Sequence, residues 1–193
     1  MYLPDHFAEH DREALLAVIR AYPFGILTSL VDGSLMATHI PFVVHGDRLL
    51  AHVARANPHW RAFDGKTDAL AIFSGPHAYI SPTWYAKRPA VPTWNYVAVH
   101  VTSKPVVEED PAQVRALLVE LAGTFDQAWR MEDEPQTFLD GMMRGIVAFS
   151  LPIERIEGKF KLSQNRDEAD RLGAAAKLRE VGEDELAHLM EDV

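Results

Sequence analysis

A chain of 193 residues, 48% of them hydrophobic, is long enough to bury a proper core as one domain, or as one domain with a terminal extension. Its net charge of −9 argues against a broad electrostatic grip on nucleic acid, and its lack of cysteine excludes disulfides, thiolate metal sites and cysteine nucleophiles. No apolar run approaches the roughly 20 residues that span a membrane, and the N-terminal MYLPDHFAEHDRE has no apolar signal-peptide core, so the expectation is a cytoplasmic protein with no membrane partner.

Asp11 reads as an N-cap, followed by Leu15, Val18, Ile19 and Tyr22 at helical spacing until Pro23. Residues 24–30 are strand-like and lead into Asp32-Gly33, a strong hairpin signal. A strand over 34–44 is interrupted by Pro41, and a turn at His45-Gly46-Asp47 leads to a third strand over 48–53. Asn57-Pro58 reads as a cap and first helical residue, opening a short helix through Phe63. The next strand, 68–74, is broken by Gly75-Pro76 and resumes at 77–80. Residues 93–104 alternate, with Val97, Val99 and Val101 on one side. Asp110-Pro111 caps a helix carrying Val114, Leu117, Leu118 and Leu121, and a second helix covers 137–144. Residues 146–151 and 155–162 read as a last strand pair, and 167–180 and 183–191 as terminal helices. Many short strands with tight turns and peripheral helices imply a closed or nearly closed antiparallel barrel. No GxGxxG or Walker motif is present.

Two stretches carry chemistry. Residues 79–96 read YISPTWYAKRPAVPTWNY, with Pro82-Thr83-Trp84 echoed ten positions on by Pro92-Thr93-Trp94. Rigid loop backbone lined with aromatic residues suits a planar ligand, and it equally suits a subunit interface. Residues 155–166 read RIEGKFKLSQNR. On a strand, Lys159 and Lys161 share a face, and the polar run after Leu162 could complete a phosphate or polar-ring site. The plainer alternative is an edge strand protected by lysines. No nucleophile, base and oxyanion constellation is legible, so the catalytic residues are unknown. The histidines have no spacing that argues for a metal.

Taken together, six motifs in order resemble one family. They are Met1-Tyr2 and Pro4 followed by Phe7; Ala37-Thr38-His39-Ile40-Pro41-Phe42; His52-Val53-Ala54-Arg55-Ala56-Asn57-Pro58-His59-Trp60; Tyr79-Ile80-Ser81-Pro82-Thr83-Trp84-Tyr85; Val91-Pro92-Thr93-Trp94-Asn95-Tyr96; and Ile156 through Arg166. The chain resembles the PaiB-like family, described as FMN-binding negative transcriptional regulators, within the split β-barrel superfamily that includes pyridoxamine phosphate oxidase-like proteins. The resemblance implies an α+β fold, mainly an antiparallel split β-barrel with peripheral helices. It implies an FMN-binding domain over 1–166 and a C-terminal helical extension over 167–193 packing on the barrel.

It further implies a homodimer that binds FMN or a related flavin and serves as a negative transcriptional regulator or flavin-dependent sensor. DNA enters as a partner through the family label alone. Alternatives from other classes are an FMN-dependent oxidoreductase acting on a small molecule and a cofactor-free dimeric interaction module. His52, Arg55 and Asn57 are expected at the phosphate or ribityl end, where a helix start can aim N–H groups at an anion, and Trp60 is expected among the cofactor-binding residues. Thr38 and His39 are expected along a ring edge. Ser81, Trp84, Tyr85, Trp94 and Asn95 would form the aromatic wall, and Lys161, Gln164 and Asn165 would close the polar end.

Overall fold

The computed structural model describes residues 1–193. In chain order the elements are β1 (Ala8–Glu9), α1 (Arg12–Ala21), β2 (Phe24–Val31), β3 (Ser34–Pro41), β4 (Val43–His45), β5 (Arg48–Ala54), β6 (Ala69–Ile80), β7 (Thr93–Ser103), β8 (Val106–Val107), α2 (Pro111–Phe125), α3 (Gln136–Arg144), β9 (Ile146–Pro152), β10 (Arg155–Lys161), α4 (Glu168–Glu180) and α5 (Asp184–Glu191). Short 3-10 turns punctuate them at Asp5–Phe7, Pro58–Ala62, Pro82–Trp84 and Met131–Asp133. All the strand pairings with a defined register are antiparallel, as the tight turns imply. The fold is α+β, of the split β-barrel class. No helix is long and apolar enough to cross a membrane.

The chain weaves between two compact units. The first comprises residues 1–18, 74–100 and 157–193. Its strands follow the order β1-β10-β7-β6, with Ala8 opposite Lys159 and Glu9 opposite Gly158. Gly158 has no room for a side chain: a Cβ there would lie 1.9 Å from Leu15 Cδ2, and Leu15 is itself buried in α1. The glycine in the Ile156-Glu157-Gly158 run is therefore a packing requirement. Helices α4 and α5 bury Ala174, Leu178, Leu186 and Met190 around Ile80, Tyr85, Val97 and Leu162. Asp170 of α4 is buried and accepts the N–H groups of Ala86 (2.7 Å) and Lys87 (3.1 Å), tying the loop after the first Pro-Thr-Trp triplet to the helix. A carboxylate can be buried there because it satisfies two loop donors that would otherwise lose water.

The second unit comprises residues 19–73 and 101–156. Its β2–β3 hairpin closes with Val31 opposite Ser34, and Asp32 and Gly33 both take positive φ (50° and 78°), the backbone that a two-residue turn of this type demands. β2 also pairs with β6. A separate four-stranded sheet has the order β4-β5-β9-β8. The chain leaves one sheet for the other at Pro41-Phe42, where proline has no N–H to continue the ladder. Phe42 then packs edge-on against Phe73 at 5.3 Å, and Phe63 lies 4.4 Å from Phe149. Asp110 caps α2 by accepting from Ala112 N–H at 3.0 Å, and Leu117 and Leu121 of that helix pack on Val43 and Ala148.

Three sequence expectations need correction. Gly75-Pro76 does not break the strand: β6 is continuous, and the buried set shifts there from Ala69, Ala71, Phe73 and Gly75 to Ala78 and Ile80. Strands β9 and β10 are not partners. β9 pairs with β5 and β8, while β10 pairs with β1, because Ile153 at the junction bonds back to Asp47 rather than closing a hairpin. The segment after Asn57 is a 3-10 turn rather than an α-helix, which leaves too few aligned N–H groups for a strong helix-end anion site.

Candidate functional site

The expected site residues fall into two sets, one in each unit. In the first unit, Lys161 at the end of β10 meets the start of β7. Its ammonium donates to Thr93 Oγ1 and to the carbonyl of Trp94. Lys159, one step back on the same face, is buried. It donates to Tyr2 O at 3.2 Å and lies over the rings of Tyr2 (5.1 Å) and Tyr96 (5.5 Å). Both ammonium groups are thus held by neutral oxygens and aromatic faces, with no carboxylate taking part in these bonds. Burial first, and the charge of Lys159 second, hold Lys161 below the usual lysine range. Two desolvated cations on one strand face are stabilised by an added anion. Beside them Trp94 is 54% exposed, with His77 and Tyr79 rings 6.4 and 6.2 Å from its own. The ammonium bonds to the backbone carbonyl of the residue that carries the exposed indole, so a cation and a flat apolar face come from one strand end, the kinds of group that a flat ring with a phosphate tail requires. The residues present fit FMN on that ground.

The other members of this set have structural partners. Gln164 folds back, accepting Leu162 N–H at 2.7 Å and donating to Phe160 O at 2.6 Å, and so closes the turn after β10. Asn165 is exposed. Asn95 is fully buried, donating to Ser163 Oγ (2.9 Å) and the Met190 sulfur (3.2 Å), with its Oδ1 unpartnered. Ser81 caps the 3-10 turn by accepting Thr83 N–H at 3.2 Å. Trp84 and Tyr85 belong to the core under α4 and α5, where Arg166 stacks 4.5 Å over the Tyr85 ring. Of the expected aromatic wall, Trp94 alone presents an exposed ring.

In the second unit Thr38 and Asn57 are drawn into a network around His59, which the sequence reading did not single out. Asn57 Oδ1 accepts His59 N–H at 3.0 Å, so its amide NH₂ faces Thr38 Oγ1 at 3.2 Å. Thr38 Oγ1 lies 2.8 Å from His59 Nδ1 and Ser29 Oγ lies 2.8 Å from Nε2, so each ring nitrogen shares a hydrogen bond with a hydroxyl. A hydroxyl can accept or donate, so both contacts suit a neutral imidazole, and burial pushes His59 below the ordinary imidazole value. The signal was His59 directly after Asn57-Pro58, where the turn aims it inward.

Arg55 donates Nε to Arg144 O (2.8 Å) and a terminal nitrogen to Ile146 O (2.7 Å), while Trp60 Nε1 donates to Arg55 O (2.9 Å). These bonds tie the end of β5 to the end of α3. His39 points out from β3, its ring 6.3 Å from Phe24. His52 lines an apolar cavity against α2 and α3.

The antiparallel strands and peripheral helices make the fold that of the split β-barrel class. The family described as "Putative FMN-binding domain" matches residues 1–155. Among curated relatives, "Protease synthase and sporulation protein PAI 2" of Bacillus subtilis is 35% identical over 207 residues, covering 100% of this chain and 97% of that protein. An uncharacterized protein of Emericella nidulans is 28% identical over 232 residues, covering 95% of this chain and 92% of that one. The chain belongs to this FMN-binding family, the PaiB-like proteins. Among solved structures, the flavocytochrome Anf3 from Azotobacter vinelandii has a TM-score of 0.71 at 19% identity, covering 85% of this chain and 74% of that one. The FAD and heme binding protein from Mycobacterium smegmatis has a TM-score of 0.67 at 19% identity, with 86% and 79% covered. Those two share its fold.

Proposed function

We propose that this chain is a flavin-dependent regulatory or sensory protein that binds FMN as a homodimer. The carrying observation is Lys161, desolvated beside Lys159 and next to the exposed Trp94. In this reading Lys161 neutralises the phosphate, Thr93 supplies a hydroxyl, Lys159 raises the local positive potential, and Trp94 offers an apolar face to the ring. Bound FMN supplies a ring that takes up and returns electrons. The 35% identity to the protease synthase and sporulation protein PAI 2 supports the regulatory role, and the net charge of −9 favours an output exerted through ligand state rather than a broad grip on DNA. The expected test is thermal: at a hundredfold excess over Kd, FMN should stabilise the fold by about 2.7 kcal/mol, or roughly 5–10 °C for a chain of this size. No shift at millimolar FMN, with no flavin co-purifying, would sink the reading.

The dimer rests on a second observation. On the β2–β3 hairpin Phe24, Leu30 and Leu35 are 65, 54 and 85% exposed, and Leu30 and Leu35 are cross-strand neighbours. Such an apolar face is costly in water and suits an isologous contact with a second copy. Light scattering should give twice the chain mass of 21.6 kDa, and Leu35→Glu should return a monomer. A wild-type monomer that still holds flavin would refute the proposal that FMN is bound by a homodimer.

A further inference from the structure

The second unit has a cavity that the flavin reading does not use. It has a volume of about 420 Å³ and lies between α2, α3 and the strands β5 and β9. Leu118 and Leu121 of α2, Phe138 and Met142 of α3, and Ile146 of β9 form its walls, and His52 of β5 is set among them. Apart from the indole of Trp129, His52 is the only lining side chain with a polar atom. Its Nδ1 is enclosed by protein and has no hydrogen-bond partner, which leaves Nε2 as the one ring nitrogen that an occupant could reach. Around the rim Phe125, Phe138 and Met142 are 51, 53 and 58% exposed, a concentration of apolar surface that packing within the chain does not explain.

We infer that this cavity is a binding site for a small uncharged aromatic molecule carrying one hydrogen-bonding group, which pairs with the imidazole of His52. Its volume lies within the roughly 300–1,000 Å³ of small-molecule sites, and it combines apolar walls with one orienting polar group in the way such sites do. Methionine and phenylalanine at the rim adapt to different ring shapes. No charged side chain lines it, so an anionic or cationic ligand would lose its hydration uncompensated. Burial pushes His52 below the ordinary imidazole value, so near neutral pH the ring meets an occupant at Nε2 as an uncharged group. The flavin reading places an anionic tail at Lys161. This cavity selects against one, so its occupant is a separate small molecule.

The test uses N-phenyl-1-naphthylamine, whose fluorescence rises in apolar surroundings, displaced by naphthalene or 1-naphthol from the full chain. The two competitors share a ring system and differ by one hydroxyl. 1-Naphthol should bind roughly three- to tenfold more tightly, the worth of one net hydrogen bond. In His52→Leu that preference should vanish while naphthalene binds as before. Should His52→Leu fail to fold, Phe138→Glu, at a half-exposed position, carries the test and should abolish binding of all three probes. The proposal is overturned if the wild type takes up none of them, if the preference for 1-naphthol survives in His52→Leu, or if Phe138→Glu binds like the wild type.

Discussion

Lys161→Ala is expected to weaken FMN binding roughly ten- to a hundredfold and to leave riboflavin affinity nearly unchanged. The difference between the two ligands is the phosphate, and a charge-assisted hydrogen bond to it is worth about 1.5–3 kcal/mol. Because Lys161 is desolvated, its field on a nearby anion is screened less than that of a surface lysine. Lys161→Arg should fall short of wild type. The ammonium sits between Thr93 Oγ1 and Trp94 O, and a planar guanidinium fork cannot reproduce that compact arrangement. Arg55→Ala is the contrasting case. Its guanidinium bonds to the carbonyls of Arg144 and Ile146, so the variant should lose melting temperature and show the same affinity ratio for FMN and riboflavin. Parallel titrations of both ligands by fluorescence quenching decide the matter. Equal losses for FMN and riboflavin in Lys161→Ala would remove Lys161 from the phosphate, and a selective FMN loss in Arg55→Ala would move the phosphate to the second unit.

The second large effect is on stability. His59→Ala should cost about 3–5 kcal/mol, since it removes a fully buried ring and strands the hydroxyls of Ser29 and Thr38 in the interior. His59 also makes the wild type sensitive to acid. Its pKa in the fold is lowered by burial, so below the ordinary imidazole value of 6.5 the unfolded chain binds more protons than the folded one. The contribution of the neutral ring is complete above that value and is lost as pH falls from it toward the lowered value of the folded state. His52 and His100 are shifted in the same direction by burial, and for His100 the N-terminal ammonium adds to the lowering while Glu157 opposes it. Urea denaturation between pH 7.5 and pH 5 should therefore show stability falling with acidity, with a shallower slope in His59→Ala. An unchanged slope would mean that folding leaves the His59 pKa unshifted, a steeper one that the fold favours its charged form, and either would overturn the reading.

Much of the fold is legible from local chemistry. Asp11 and Asp110 cap the helices they precede, accepting the N–H groups of Glu13 (3.0 Å) and Ala112 (3.0 Å), because an aspartate oxygen reaches an unpaired N–H two residues on, whatever surrounds it. Asp32-Gly33 turns the first hairpin because positive φ at both positions is a property of the dipeptide. The Lys159/Lys161 pairing on one face follows from strand periodicity. The order of six motifs identified the family without any coordinate.

What the tertiary structure decided is which polar groups remain available. The sequence marks Arg55, Thr38, Asn57 and Asn95 as hydrogen-bonding residues near expected loops, but it does not say where their partners are. The partners are distant in the chain: Arg55 meets residues 89 and 91 positions away, and Asn95 meets Ser163 and Met190, 68 and 95 positions away. The same holds for β9 and β10, whose short separation suggests a hairpin until Ile153 is seen bonding to Asp47. Capping, turn formation and strand alternation act over a few residues, so the sequence by itself determined them. Which imidazole is enclosed, which lysine is desolvated at the start of β7, and which helices wall an apolar cavity depend on contacts between distant segments, and only the packed chain determined those.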